Sequence, residues 1–373
     1  MAHEVETMAY VAESAASTPW HGLGFAIDHD TTPEEMLEVS GLNWTVSKRP
    51  LFAPGSQWGA IGPGCRFPTF KDYLADPNSN TLPVSEYFAL VRDSDNKVLG
   101  PAGKDYIPTQ NRQAFDFFKK FADAGHMSMD TAGSLQGGKQ VWVLAKLGKQ
   151  FLLPGGDEVR GYLLLSSPHV WGKSLVVKFT AVRVVCMNTL TMAMNDSTKG
   201  KGFRMPHIRA FDAEVAQEAA ISLGIANELF EGFEATANKL ARTKVDTDVV
   251  VRYIADVFQP ELVAEQFGKS FYKATEAKQA EMLLDPTSPK VDASQFKRSA
   301  YDVLTAVNRQ PGADLESTRG TLWGAFNAVT YYSDHLAGRD RDNAIYSSWF
   351  GPKAATKSQA LKRAIQMAEV AGA

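Results

Sequence analysis

Apolar residues recur with two different periods along this chain, and the change between them falls near residue 210. Before it, alternation with a period of two marks strands near 140–147, 158–167 and 174–185. Val141, Val143, Ala145 and Leu147 fall on one side of the first of these. "SEYFALVRDSDNKVLG" reads as a hairpin around a polar Asp-Ser-Asp-Asn turn. "PTQNRQAFDFFKKFADAG" reads as a helix with Thr109 as cap, Phe115, Phe118 and Ala122 as its apolar stripe, and Gly125 as its stop. Asn188 is expected to cap a short helix, "TLTMAM". After residue 210 the period becomes 3.6, with helical segments near 211–242, 246–258, 261–283, 293–308, 316–336 and 356–370.

The N-terminal part carries weaker patterns. "TTPEEMLEVSG" supplies a Thr cap, a Pro at the first helical position, acids in the first turn and Gly41 as a stop. The rest of residues 1–50 reads as an irregular arm, and residues 50–83, dense in Gly and Pro, as loop with at most short strands. The expected fold is α+β: an antiparallel sheet ordered hairpin–helix–three strands–helix, then a mainly helical C-terminal region. The expected divisions are 1–85 for the arm, 86–210 for the α+β core and 211–373 for the helices.

"GSLQGGKQVWVLAKL" (133–147) tests one chemical reading. Gly133, Gly138 and Lys139 match the spacing of a phosphate-binding loop, but Gln140 stands where a Ser or Thr would ligand Mg²⁺. No strand signal precedes Gly133, and a strand rather than a helix follows, so the helix N-terminus that such a loop needs is missing. A turn feeding a strand explains the glycines, and no ATP binding or hydrolysis is expected there. "TPWHGLG" has no third glycine and no preceding strand, and no zinc-protease, serine-hydrolase or Cys-x-x-Cys motif occurs. No catalytic residue, metal or cofactor is expected. No run of 18 apolar residues suggests a membrane span, and Cys65 and Cys186, far apart, fit a reduced, cytoplasmic protein.

The net charge of −3 hides a basic island. Residues 171–209 hold seven Lys or Arg against Asp196 alone, while residues 1–50 and 210–282 each carry a net −6. Within the island Lys173, Lys178, Arg183, Lys199, Lys201 and Arg204 are interleaved with Trp171 and Phe203. Cations that track phosphates and aromatic faces that stack on bases are what single-stranded nucleic acid requires. A solvated loop accounts for the same charges. Lys178 and Arg183 lie five apart, so a regular strand sends them to opposite faces. A second constellation, Trp323, Asn327, Tyr331 and Asp334/His335, shares one helix face; it reads as a polar-aromatic site or as a hydrogen-bonded core helix.

"WHGLG" (20–24), "GKDYIPTQNRQAFDF" (103–117), "AGSLQGGKQVW" (132–142), "VRVVCMNTL" (182–190) and "NAVTYYSDH" (327–335) together resemble the phage/plasmid-like proteins of the domain-of-unknown-function 932 family, over about residues 18–350. Where relatives tend to carry His-Asp-Gly, this chain has "HVWGK" (169–173). The resemblance implies a mobile-element protein in a bacterial cytoplasm and brings no reaction with it. The element order also resembles, by analogy of topology, the core of phage single-strand annealing proteins. The expected function is therefore a non-enzymatic, homo-oligomeric protein that binds single-stranded DNA and assists annealing. The alternative is an assembly or host-interaction protein that binds no nucleic acid.

Overall fold

The computed structural model describes residues 5–12, 24–54, 81–123, 127–185, 188–190, 203–338, 347–349 and 351–372. The elements in order are β1 (Val5–Val11), β2 (Phe25–Ile27), α1 (Pro33–Val39), β3 (Val46–Pro54), β4 (Thr81–Arg92), β5 (Lys97–Gly103), α2 (Asn111–Asp123), β6 (Met127–Leu135), β7 (Gln140–Leu153), β8 (Asp157–Pro168), β9 (Ser174–Arg183), β10 (Asn188–Leu190) and β11 (Phe203–Pro206). There follow α3 (Ala213–Arg242), α4 (Thr247–Phe258), α5 (Pro260–Phe267), α6 (Glu276–Leu284), α7 (Arg298–Arg309), α8 (Leu322–Tyr331) and α9 (Pro352–Ala371). The protein is α+β, with antiparallel sheets and a helical C-terminal region.

The strands make two sheets, not one. The larger runs β10-β9-β8-β7-β6-β1-β2, with β11 added beside β9, and only its short β1–β2 pair is parallel. The smaller runs β3-β4-β5. The expected hairpin is thus present as β4–β5, but it pairs with β3 instead of joining the large sheet. The N-terminal region is not an irregular arm either, since β1 fills the place beside β6. Although no strand signal precedes Gly133 in the pattern, Met127–Leu135 is strand β6, so Gly133 lies inside a strand and pairs opposite Trp142. Its small polar residues carry no β signal of their own; pairing on both sides imposes the strand. Asn188 begins a strand and not a helix, and the rest of that segment lies outside the described residues.

Helix α1 forms as its sequence dictates: the Thr32 side chain accepts from the Glu35 amide, Pro33 opens the first turn, and Gly41 takes φ 68° just past the end. The expected 261–283 helix is two, α5 and α6, because Gly268 at φ 84° ends the first.

Both faces of the large sheet are buried. One face, with Val141, Val143, Leu163, Leu165, Val177 and Phe179, packs under α2 through Phe115 and Phe118 and under α3 through Phe230 and Phe233. The other, with Met8, Tyr10, Trp142, Leu144, Leu164 and Val182, packs against Trp349. The first core continues unbroken into the C-terminal helices, where α8 is buried from Leu322 to Thr330 between α3, α4, α7 and α9.

Candidate nucleic-acid interface

One end of the large sheet gathers three loops and two Pro-His pairs. Pro168 ends β8 and Pro206 ends β11, and these strands flank the start of β9. The following histidines, His169 and His207, are therefore brought together and are both buried. Tyr106 lies between them: its ring stacks on His207 at 4.8 Å and its hydroxyl donates to the Pro168 carbonyl at 3.1 Å. The Ile107 amide donates to the His207 carbonyl at 2.6 Å, and His207 Nδ1 lies 3.3 Å from the Ile107 carbonyl. His169 Nε2 donates to Asn111 Oδ1 at 3.0 Å, and Asn111 Nδ2 donates to the Leu42 carbonyl at 2.9 Å.

Burial lowers the pKa of both rings; His169 falls to about 3, helped by repulsion from His207. Both are neutral at neutral pH. His169 Nδ1 and His207 Nε2 have no hydrogen-bond partner among the described residues. The arrangement fixes the 104–110 loop against the 169–173 loop and supplies no charge.

What these loops present to solvent is aromatic and charged, with the acids Glu86 and Asp105 exposed beside Lys104. Trp171 is 52% exposed and meets the exposed Tyr87 edge-on, ring centres 5.6 Å apart. Its indole lies over Gly103, where a Cβ would touch Nε1 at 3.5 Å. Gly172, at φ 83°, turns the chain back, and the Lys173 amide donates to the Val170 carbonyl. The His169 amide donates to the Lys139 carbonyl at 2.8 Å, which puts the β6–β7 turn at the same end, with the Lys139 side chain exposed. Arg204 on β11 is exposed too, and Lys104 pairs with Glu86 at 2.9 Å.

The glycines of the phosphate-loop-like stretch have a different explanation here. Gly137 and Gly138 take φ 66° and 89°, and a Cβ on Gly138 would sit 2.9 Å from Arg92 Nη1. Arg92 holds Glu6 through two bonds of 2.8 and 2.9 Å and also binds Asp95. The turn is glycine because it packs onto the ion pair that joins the two sheets.

The remaining island residues are not gathered into this interface. Lys178 and Arg183 do lie on opposite faces of β9, and the structure encloses both. Arg183 is fully buried and donates from Nε to the Asp157 carboxylate at 2.7 Å. Its Nη atoms reach the carbonyls of Pro311 and Gly312. Lys178 Nζ donates to the Trp349 carbonyl at 2.7 Å, and burial pulls its pKa down to about 8. Arg183 and Lys178 as placed here have no open face for a phosphate; the ion pair and the Trp349 contact take them inside. Phe203 is half-buried against the main core. Lys199 and Lys201 lie outside the described residues.

The helix face of Trp323, Asn327, Tyr331, Asp334 and His335 runs from buried at Trp323 and Asn327 to half-buried at Tyr331, Asp334 and His335, and is split between two networks. Trp323 Nε1 donates to Asp157 at 3.0 Å, and Asn327 Nδ2 donates to the Trp323 carbonyl at 2.9 Å. Past Tyr331 the chain makes a π turn, Tyr332–Leu336, which brings the Tyr331 and His335 rings to 4.9 Å. Asp334 accepts from Lys357 Nζ at 2.7 Å and from the Ser348 hydroxyl, tying α8 to α9. Of the two readings, the hydrogen-bonded core helix fits these contacts. Asp157, Ser348 and Lys357 were not legible as partners, because each lies far from the residue it binds in sequence.

Among the described residues no group of three or more His, Cys, Asp or Glu could hold a metal ion, and no helix is long and apolar enough to cross a membrane. The fold and this loop end define an α+β protein with exposed aromatic and charged residues at one end. The chain belongs to the family described as domain of unknown function (DUF932), whose model matches residues 98–368. No curated protein and no solved structure matches the chain.

Proposed function

We propose that the protein holds single-stranded DNA at the loop end of its large sheet and assists annealing without catalysing a reaction, as part of a phage or plasmid system in a bacterial cytoplasm. The observation that carries this reading is the exposed Trp171–Tyr87 pair beside the buried histidine contacts, with Lys139, Lys173 and Arg204 on the elements that meet at this end of the sheet. Bases stack on such a platform regardless of sequence, and cations beside it hold the backbone. A mobility shift with single- and double-stranded oligonucleotides at low and moderate salt tests it. Salt-sensitive binding that favours the single strand supports the reading; no shift at low salt overturns it.

The competing reading is a protein contact surface in an oligomeric assembly. Phe52 and Leu82, 58% and 50% exposed on the paired outer ends of β3 and β4, favour it. Loss of self-association in Phe52→Ser with DNA binding intact would assign that ribbon to assembly.

A further inference from the structure

We propose that a cleft between the C-terminal ends of α3 and α9 binds a phosphorylated small molecule carrying at least two negative charges. The cleft is open to solvent and holds about 610 Å³, inside the usual range of small-molecule sites of roughly 300–1,000 Å³. One wall presents Lys239, Arg242 and Lys244; the other is Ala368, Ala371 and Gly372, whose small size leaves the space open. No carboxylate among the described residues lines it. Among the described residues no ion pair engages Lys239, Arg242 or Lys244; Lys244 Nζ approaches only the Arg319 carbonyl, at 3.5 Å.

A bland account covers part of this. Lys239 and Arg242 stand in the last turn of α3, where cations offset the helix dipole. It does not cover Lys244, which lies beyond the helix in an isolated bridge to Thr321. Nor does it explain why three exposed cations converge on one cleft that no acid among the described residues lines. The other polar groups are already committed. The Asn238 amide donates to the Glu234 carbonyl at 3.0 Å and the Thr243 hydroxyl to the Lys239 carbonyl at 2.8 Å. Recognition therefore rests on charge: two or three lysine and arginine donors onto phosphate oxygens, the charge-assisted bonds that phosphates favour. The cleft shares no residue with the glycine turn at 137–138 or with the Trp171 end.

Calorimetry of the full chain with inorganic pyrophosphate and with ADP tests this. Saturable binding of pyrophosphate is expected, weakened about tenfold or more in Lys239→Ala/Arg242→Ala, in which two charge-assisted contacts are lost. Ala371→Trp, which fills the space and leaves the charge alone, should weaken it as well. Tighter binding of ADP than of pyrophosphate would extend the ligand to a nucleotide. Trp171→Ala should leave both affinities unchanged, which separates this site from the DNA reading. No saturable heat with either probe overturns the proposal, as does equal binding by the double variant. Displacement of neither probe by excess oligothymidylate is expected; competition by DNA at this cleft would overturn the small-molecule assignment.

Discussion

Asp157 and Trp323, 166 residues apart, share a hydrogen bond of 3.0 Å inside the protein. The same carboxylate takes Arg183 Nε on one oxygen at 2.7 Å and the Ser317 hydroxyl on the other at 2.7 Å. One buried acid at the start of β8 thus joins the sheet to the C-terminal helices, and its neutraliser is an arginine that the sequence offered as a phosphate contact.

Removing one partner strands the other charge in the interior. Asp157→Ala or Arg183→Met alone should cost about 3–5 kcal/mol, the usual penalty for breaking a buried pair. The double replacement Asp157→Leu/Arg183→Met should recover part of that loss. Urea unfolding followed by circular dichroism measures all three, and additive single costs would contradict the pairing.

Lys178 makes stability depend on alkaline pH. Its pKa is about 8 in the folded protein, first through burial and then through repulsion from Lys357, against 10.5 when free. Between those values the unfolded chain binds the proton that the folded chain has released, so stability rises as pH goes from about 8 to about 10.5. Below pH 8 both states hold the proton and this contribution is absent. Lys178→Met should flatten the rise; a wild-type slope in that variant would show that another group is responsible.

His169 acts at the other end of the scale. Its ring pKa is lowered to about 3 from 6.5, so the unfolded state takes up a proton between those values and stability falls as pH drops through that range. His169→Gln should be less stable at pH 7 and lose less stability between pH 6.5 and 4.5. Thermal melts across that range give the comparison.

Gly138 carries two constraints at once. At φ 89°, with Arg92 Nη1 only 2.9 Å from where a Cβ would stand, Gly138→Ala should destabilise by more than about 1 kcal/mol. Gly148→Ala, with open space around it and no left-handed φ, is the control. Equal urea midpoints for the two variants would remove the packing explanation of the turn.

At the loop end, aromatic and basic residues should leave different signatures. Trp171→Ala should cost about 1–3 kcal/mol in single-strand affinity with the salt slope nearly unchanged. Lys139→Ala/Lys173→Ala/Arg204→Ala should flatten the slope of log affinity against log salt by about two units if all three meet phosphates. Lys178→Met should not change that slope, since its ammonium faces Trp349. A titration series at four salt concentrations separates these outcomes.

What was legible in the sequence was local. The Thr32–Pro33–Gly41 punctuation marks α1, and the alternation at 140–147 marks the first half of β7, because both signals are written within or beside one element. Strand β6 was illegible because "MSMDTAGSL" becomes a strand only through β1 and β7 on either side. The five-residue spacing of Lys178 and Arg183 correctly sent them to opposite faces. It could not show that both faces are covered, since the covers come from Asp157 on one side and Trp349 on the other. Composition found a basic island; packing decided which of its cations reach solvent. Tyr87, the ring beside Trp171, carried no signal, since its neighbour lies 84 positions away and meets it only through the small sheet's approach to the β8–β9 loop.

The bond from Lys178 to the Trp349 carbonyl has a consequence for how the protein comes into being. It spans 171 residues, and the Asp157–Trp323 contact spans nearly as many. A chain still emerging during synthesis has β8 and β9 complete long before the segments that cover them exist. High contact order of this kind slows folding, because loop closure must be met before distant contacts reward it. The covers of the sheet therefore come from chain made after its strands, α8 on one side and Trp349 on the other.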